Sequence, residues 1–191
     1  MAGFYRYTVV LDACVLYPAP MRDLLLSLAS AGMFAARWTE MIQDEWQRNL
    51  SKNRPELKDL IPRTAALMNE AIEDCLIHGY ERLIDSLMLP DPDDRHVLAA
   101  AIAGHADAII TFNVKDFPAD AVEIHGIEIL HPDDFMVAQF SLDQIKVLGA
   151  VKAMRQRLRR PPHTAQQLIS IMEVQGLPQF SQILRSAEEL I

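Results

Sequence analysis

The stretch that most limits what this chain can fold into is Leu89-Pro90-Asp91-Pro92-Asp93-Asp94-Arg95-His96-Val97-Leu98-Ala99-Ala100-Ala101, followed by Ala108-Ile109-Ile110-Thr111-Phe112-Asn113-Val114-Lys115-Asp116-Phe117. It reads as an acidic turn, a short apolar helix, a buried strand and a second turn ending in a carboxylate. Asp91 can cap the helix, Pro92 suits its first position, and Asp93 and Asp94 fall in its first turn. A strand as short and apolar as residues 108–111 belongs in the middle of a parallel sheet, covered on both faces. In such sheets ligands bind at the carboxyl ends of the strands, which makes Asp94 and Asp116 candidates for one cleft. Carboxylates at a helix N-terminus also stabilise it by roughly 0.3–1 kcal/mol each, so capping is the competing explanation for Asp91, Asp93 and Asp94.

The rest of the chain alternates strands with helices. Residues 7–11 form a β-branched and aromatic run that stops at Asp12, a first buried strand with an acid at its end. A charge there must be paired, hydrogen-bonded or metal-bound, because leaving it buried alone costs several kcal/mol. Capping explains Asp12 less well, since Pro18 and Pro20 delay the next helix. Met21, Leu24, Leu25 and Leu28 give that helix its apolar face, over residues 20–31, and Gly32 can end it. Residues 33–38 read as a second strand. Thr39 then caps a helix over residues 40–50 whose apolar face is Met41, Ile42, Trp46 and Leu50. The helical period turns Glu45 toward this face, as a paired structural carboxylate or as a site ligand. Residues 56–78 read as mostly helical with a break at Pro62, residues 87–89 as a short third strand, and residues 126–130 as a final one. A second acid pair, Asp133-Asp134, follows that edge strand and reads as capping alone.

Composition places this in an ordinary soluble class. At 191 residues, with 50% hydrophobic and 23% charged residues, the chain can bury one sizeable core and carry an appendage. The longest nearly apolar run, residues 24–36, includes Ser27, Ser30 and Gly32 and is shorter than the ~18 residues of a membrane span. Asp12 interrupts the N-terminal apolar stretch, so no secretory leader is expected and the cytoplasm is the expected compartment. Cys14 and Cys75 have neither metal-ligand spacing nor a case for a disulfide, and no two of the six histidines stand at a zinc interval. The net charge of −8 is unevenly spread: residues 1–143 carry 11 basic and 23 acidic side chains, whereas residues 144–164 carry six basic and none acidic. That basic stretch closes a helix over residues 142–158 with Arg155, Arg157, Arg159 and Arg160. Two more amphipathic helices, residues 164–175 and 178–190, complete an all-helical tail. The expected division is residues 1–140 and 141–191.

Right-handed crossovers bring the strand ends of an alternating α/β chain to one edge of the sheet, and with them Asp12, Glu45, Asp94 and Asp116. Four packed carboxylates repel, and some stay protonated at neutral pH unless a cation joins them. Oxygen donors without His or Cys select Mg²⁺ or Mn²⁺, one ion or two, and phosphodiester hydrolysis is the reaction such sites serve.

The order Val-Leu-Asp12, an inward Glu45, Asp-Asp94 before an Ala-rich helix, and Ile-Ile-Thr111-Phe-Asn113-Val-Lys-Asp116-Phe closely resembles the PIN-domain ribonucleases, in particular the VapC-type toxins of bacterial toxin–antitoxin pairs. The resemblance covers about residues 7–140. It implies a three-layer α/β fold with a mainly parallel central sheet, here followed by a C-terminal helical extension. It implies catalytic metal ligands at Asp12, Glu45, Asp94 and Asp116, support from Thr111, Asn113 and Asp93, and Mg²⁺ or Mn²⁺ as cofactor. Cys14 stands where many members have Asn or Ser. The implied substrate is RNA, tRNA among the candidates, and the implied partners are a cognate antitoxin and a second copy of the chain, with no membrane involved. The arginines at 155, 157, 159 and 160 are the candidate contact for RNA or partner. Two other readings compete: a non-catalytic module of the same fold, and an aspartyl-phosphate phosphatase, which needs a second Asp two residues after the first, where this chain has Cys14.

Overall fold

The computed structural model describes residues 6–191; residues 1–5, part of the segment read above for a leader, lie outside the described residues. Strand β1 (Thr8–Leu11) forms where the first β-branched run predicts it, and Val9, Val10 and Leu11 have no solvent exposure. After a single turn of helix α1 (Ala13–Leu16) and helix α2 (Ala19–Ser30), β2 (Ala35–Arg37) lies parallel to β1 with Val9 opposite Ala36. Gly32 adopts a left-handed φ of 77° at the end of α2, as its position there suggests. Helix α3 (Glu40–Asn53) is capped by Thr39, whose Oγ1 accepts the Ile42 amide at 3.1 Å.

The middle of the chain departs from the sequence reading in two places. Helix α4 (Ile61–Ala71) stops well short of residue 78. Asp74 turns the chain out with a φ of 54°, and Cys75–Ile77 then runs beside Trp38, with Trp38 N–H donating to Cys75 O and Ile77 N–H to Trp38 O, each at 2.9 Å. Residues 87–89 follow helix α5 (Glu81–Ile84) and form no strand. Pro90 next in line removes an amide donor and restricts Leu89, so the acidic turn is reached from irregular chain. The turn itself behaves as read: Asp91 accepts the Asp93 amide at 2.9 Å, one 3₁₀ turn spans Pro92–Asp94, and α6 (Arg95–Ala103) follows. Its alanines let α6 pack closely against β1 and against β3 (Ala108–Ile110), whose three residues are wholly buried. Helix α7 (Ala119–Val122) leads to β4 (Glu128–Leu130), and the sheet order is β2-β1-β3-β4 with every pairing parallel. The chain leaves β1 toward β2 on one side and returns to β3 on the other. The carboxyl ends of β1 and β3 therefore form the switch point at which such sheets bind ligands.

The chain divides into two compact units, one running through Tyr17 and then Phe34–His131, the other comprising Pro18–Met33 and Pro132–Ile191. The first holds the sheet. The second is all helical: α2 packs against α9 (Gln144–Arg157), α8 (Pro132–Leu142) against α9 and α11 (Pro178–Ser186), and α11 against α10 (Ala165–Val174). The pair Asp133-Asp134 does cap a helix, but one distant in sequence. Asp133, 3% exposed, accepts the backbone amides of Gln179 at 3.0 Å and Phe180 at 2.9 Å, and Asp134 accepts from the Gln179 side chain at 2.9 Å. No helix among the described residues is long and apolar enough to cross a membrane.

Candidate active site

Asp12 is the first residue beyond β1 and is 3% exposed. The register that sets Leu11 against Ile110 sets Asp12 beside Thr111, whose hydroxyl donates to Asp12 Oδ2 at 2.7 Å. The Cys14 thiol donates to the same oxygen at 3.1 Å, and Cys14 Sγ accepts the Phe112 amide at 3.3 Å. Thr111 Oγ1 also accepts the Asn113 amide at 2.9 Å. The ends of β1 and β3 are thus tied through one carboxylate, one hydroxyl and one thiol. Burial pushes the Asp12 carboxyl above its ordinary range and the charge of Glu45 adds to this, while the bonds from Thr111 and Cys14 oppose it. Burial, with Asp12 alongside, pushes the Cys14 thiol up, so Cys14 stands here as a neutral donor.

Glu45 is held by the fixing of α3. The Trp46 indole donates to Gln43 Oε1 at 2.7 Å, the Gln43 amide to Asn69 Oδ1 at 3.0 Å, and the Trp38 indole to the same Asn69 oxygen at 2.9 Å. This network, with Trp38, Gln43 and Trp46 buried and Asn69 at the surface, sets the rotation of the helix about its axis. Glu45 then emerges half-buried with its Oε2 3.2 Å from Nε2 of the buried His96, the second residue of α6.

Asp94 is the N-cap of α6 in position only, because its side chain makes no capping bond. Burial first, then the charges of Asp12, Asp116, Asp91 and Glu45, push its carboxyl up to about 7. Asp116 closes a 3₁₀ turn over Val114–Asp116 beyond β3. All four predicted acids therefore meet in one electrostatic neighbourhood, and Asp94 rather than the exposed Asp93 faces the other three. Among the described residues no three His, Cys, Asp or Glu side chains stand, as placed, in an arrangement that would hold a metal ion. Asn113 is exposed and takes part through its backbone.

His96 escaped the sequence reading, its faint signal being that it lies two residues after Asp94, and Cys14, marked there only as standing where many members have Asn or Ser, proves to be a donor to Asp12. The basic stretch, by contrast, is largely engaged inside the second unit. Arg157 Nη2 donates to Asp23 Oδ1 at 2.7 Å and Ser27 Oγ at 2.6 Å, and Arg155 donates to the His163 carbonyl at 3.1 Å. Lys146 pairs with Asp143 at 3.4 Å and Lys152 reaches the Leu190 carbonyl at 3.4 Å. Arg159 and Arg160 are exposed.

Residues 8–115, more than half of the chain, match the family model described as PIN domain, and residues 132–186 match the one described as VapC50 C-terminal domain. The first match contains β1 to β3 and the second covers α8 to α11. A protein of Mycobacterium tuberculosis, named as a candidate ribonuclease, VapC50, is 39% identical over 103 residues, which cover 54% of this chain and 60% of that relative. The matched region thus spans about three fifths of the relative's length. No solved structure gives a significant match. With a sheet of the order β2-β1-β3-β4, acids gathered at its switch point and the family match over the same residues, the chain belongs to the PIN-domain family.

Proposed function

We propose that the chain is a divalent-metal-dependent endoribonuclease, the toxin of a type II toxin–antitoxin pair. The observation that carries this reading is the convergence of Asp12, Glu45, Asp94 and Asp116 at the switch point of a parallel sheet, where burial first and then the acidic neighbours push the Asp94 carboxyl up to about 7. What acts on Asp94 is burial and like charge, and hard oxygen donors fit Mg²⁺ or Mn²⁺. Asp12 is the fixed member of the set; Glu45, Asp94 and Asp116 are half-exposed, and rotation about their side-chain bonds is what closing on an ion would take. A bound ion would supply Lewis-acid chemistry at the scissile phosphate. The chain's own contribution is to orient Asp12 through Thr111 and Cys14, and Glu45 through His96.

The relative's name supports ribonuclease activity; an antitoxin partner, a second copy of the chain and a cytoplasmic setting are proposed with it. A basic antitoxin side chain entering the acidic cleft suits its electrostatics. Arg159 and Arg160 are proposed as contacts for RNA or for that partner. The experiment is incubation with total RNA and with tRNA, with and without Mg²⁺ or Mn²⁺, followed by mapping of cut ends. Cleavage that requires the metal is the expected result. RNA that is bound but left intact under all these conditions would favour the non-catalytic module.

A further inference from the structure

A nuclease whose reactive groups are acids has to hold a polyanion against their repulsion, so a cation must lie within reach of the cluster. The sequence places its basic concentration in residues 146–160, but Arg155, Arg157, Lys146 and Lys152 are occupied by contacts within their own unit. Within the first unit, a cleft of about 480 Å³ opens beside the cluster, lined by Met41, Asp44, Glu45, Arg48, Asn49, Asp93 and His96. That volume lies in the roughly 300–1,000 Å³ range of ligand sites. Met41, Asp44, Glu45 and Arg48 occupy positions i, i+3, i+4 and i+7 of α3, so one helix face forms one wall and the start of α6 the other. Among the described lining residues Arg48 is the one guanidinium or ammonium group.

We infer that Arg48 holds an RNA backbone phosphate in this cleft, next to the acid that its own helix contributes, with the neighbouring Asn49 offering neutral hydrogen bonds. The inference rests on the ribonuclease reading of the same site and adds the residue that binds its substrate. An arginine whose role is only to solvate a helix would be expected to pair with Asp44 one turn earlier, the favourable order for an acid and a base on one helix. Arg48 makes no such bond among the described residues; it is exposed and lines the same cleft as Glu45. The planar guanidinium grips a phosphodiester through two parallel N–H···O bonds, which a lysine ammonium does not reproduce. This arrangement positions the backbone beside Glu45 without reading bases.

The test measures binding of a labelled single-stranded RNA by fluorescence anisotropy in Mg²⁺, in the Asp12→Asn background so that the RNA is not consumed, with salt varied from about 50 to 200 mM. Arg48→Gln should raise Kd about tenfold and reduce the slope of log Kd against log salt by about 0.7, the loss of one phosphate contact on a single strand. Arg48→Lys should fall between. Arg63→Gln removes the same charge from the exposed face of α4 and should leave Kd within about twofold. Thermal melting of each variant shows that the fold is retained. An unchanged Kd and salt slope in Arg48→Gln, an equal loss in Arg63→Gln, or no RNA binding at all overturns the inference. RNA held through Arg48 by a chain that cuts nothing with Asp12 intact overturns the nuclease reading alone.

Discussion

Asp12→Asn loses RNA cleavage by about a hundredfold or more while its metal-free fold is as stable as the unaltered one, or more so. The size follows from removing a proposed ligand outright, given that changes merely around a metal ligand already cost about 10- to 100-fold. The stability follows from the setting of Asp12. Its carboxyl is already disfavoured as an anion by burial and by Glu45, and a neutral amide of the same shape can still accept the Thr111 hydroxyl. Cleavage assays with Mg²⁺, beside thermal melting in a chelator, check both halves. A variant that cuts RNA as well as the parent removes Asp12 from the site.

Metal-free protein loses stability as pH rises from about 4 through 7, to the extent that Asp94 governs it. The folded state holds this proton up to about 7, whereas an unfolded Asp releases it near its ordinary 3.8, so the fold binds the extra proton between these values. The contribution is complete below the unfolded value and is lost as pH passes the folded one. Asp94→Asn stays neutral and keeps it. Asp94 is partly exposed, so solvent screening reduces the effect to about 1–2 kcal/mol, or roughly 3–6 °C in melting temperature. The advantage of Asp94→Asn over the parent should therefore be near zero at pH 4 and grow toward pH 8, and Mg²⁺ or Mn²⁺ should remove it by stabilising the parent. A difference that does not change with pH would contradict the buried, acidic setting of Asp94.

What could be read from the sequence was whatever depends on near neighbours. The buried runs of β1 and β3, the Thr39 cap and the Asp91 turn all follow from local period and local hydrogen bonding. The gathering of Asp12, Glu45, Asp94 and Asp116 could be read because parallel crossovers leave little choice about where strand ends go. Pairings across long separations could not. Thr111 lies 99 residues from Asp12, His96 lies 51 from Glu45, and Arg157 finds Asp23 across 134. The last of these is one reason why a charge run that looked like an open surface is largely engaged within its own unit, to which α2, packed on α9, also belongs. Residues 72–78 were misread as helix because only the tertiary offer of Trp38 as a pairing partner, with Asp74 at positive φ, favours an extended path. The two Asp-Asp pairs look alike locally; what separates them is whether the side chain finds backbone amides, as Asp133 does, or other acids, as Asp94 does.

The four carboxylates from the end of β1, α3, the acidic turn and the turn beyond β3 are proposed to make one cation site. Titration of Mn²⁺ into the metal-free chain, followed by electron paramagnetic resonance at neutral pH, tests this without reference to any RNA. Saturable binding to the parent, weakened at least about tenfold in Asp12→Asn, is the expected result. Equal binding by the two proteins, or none by either, would contradict it.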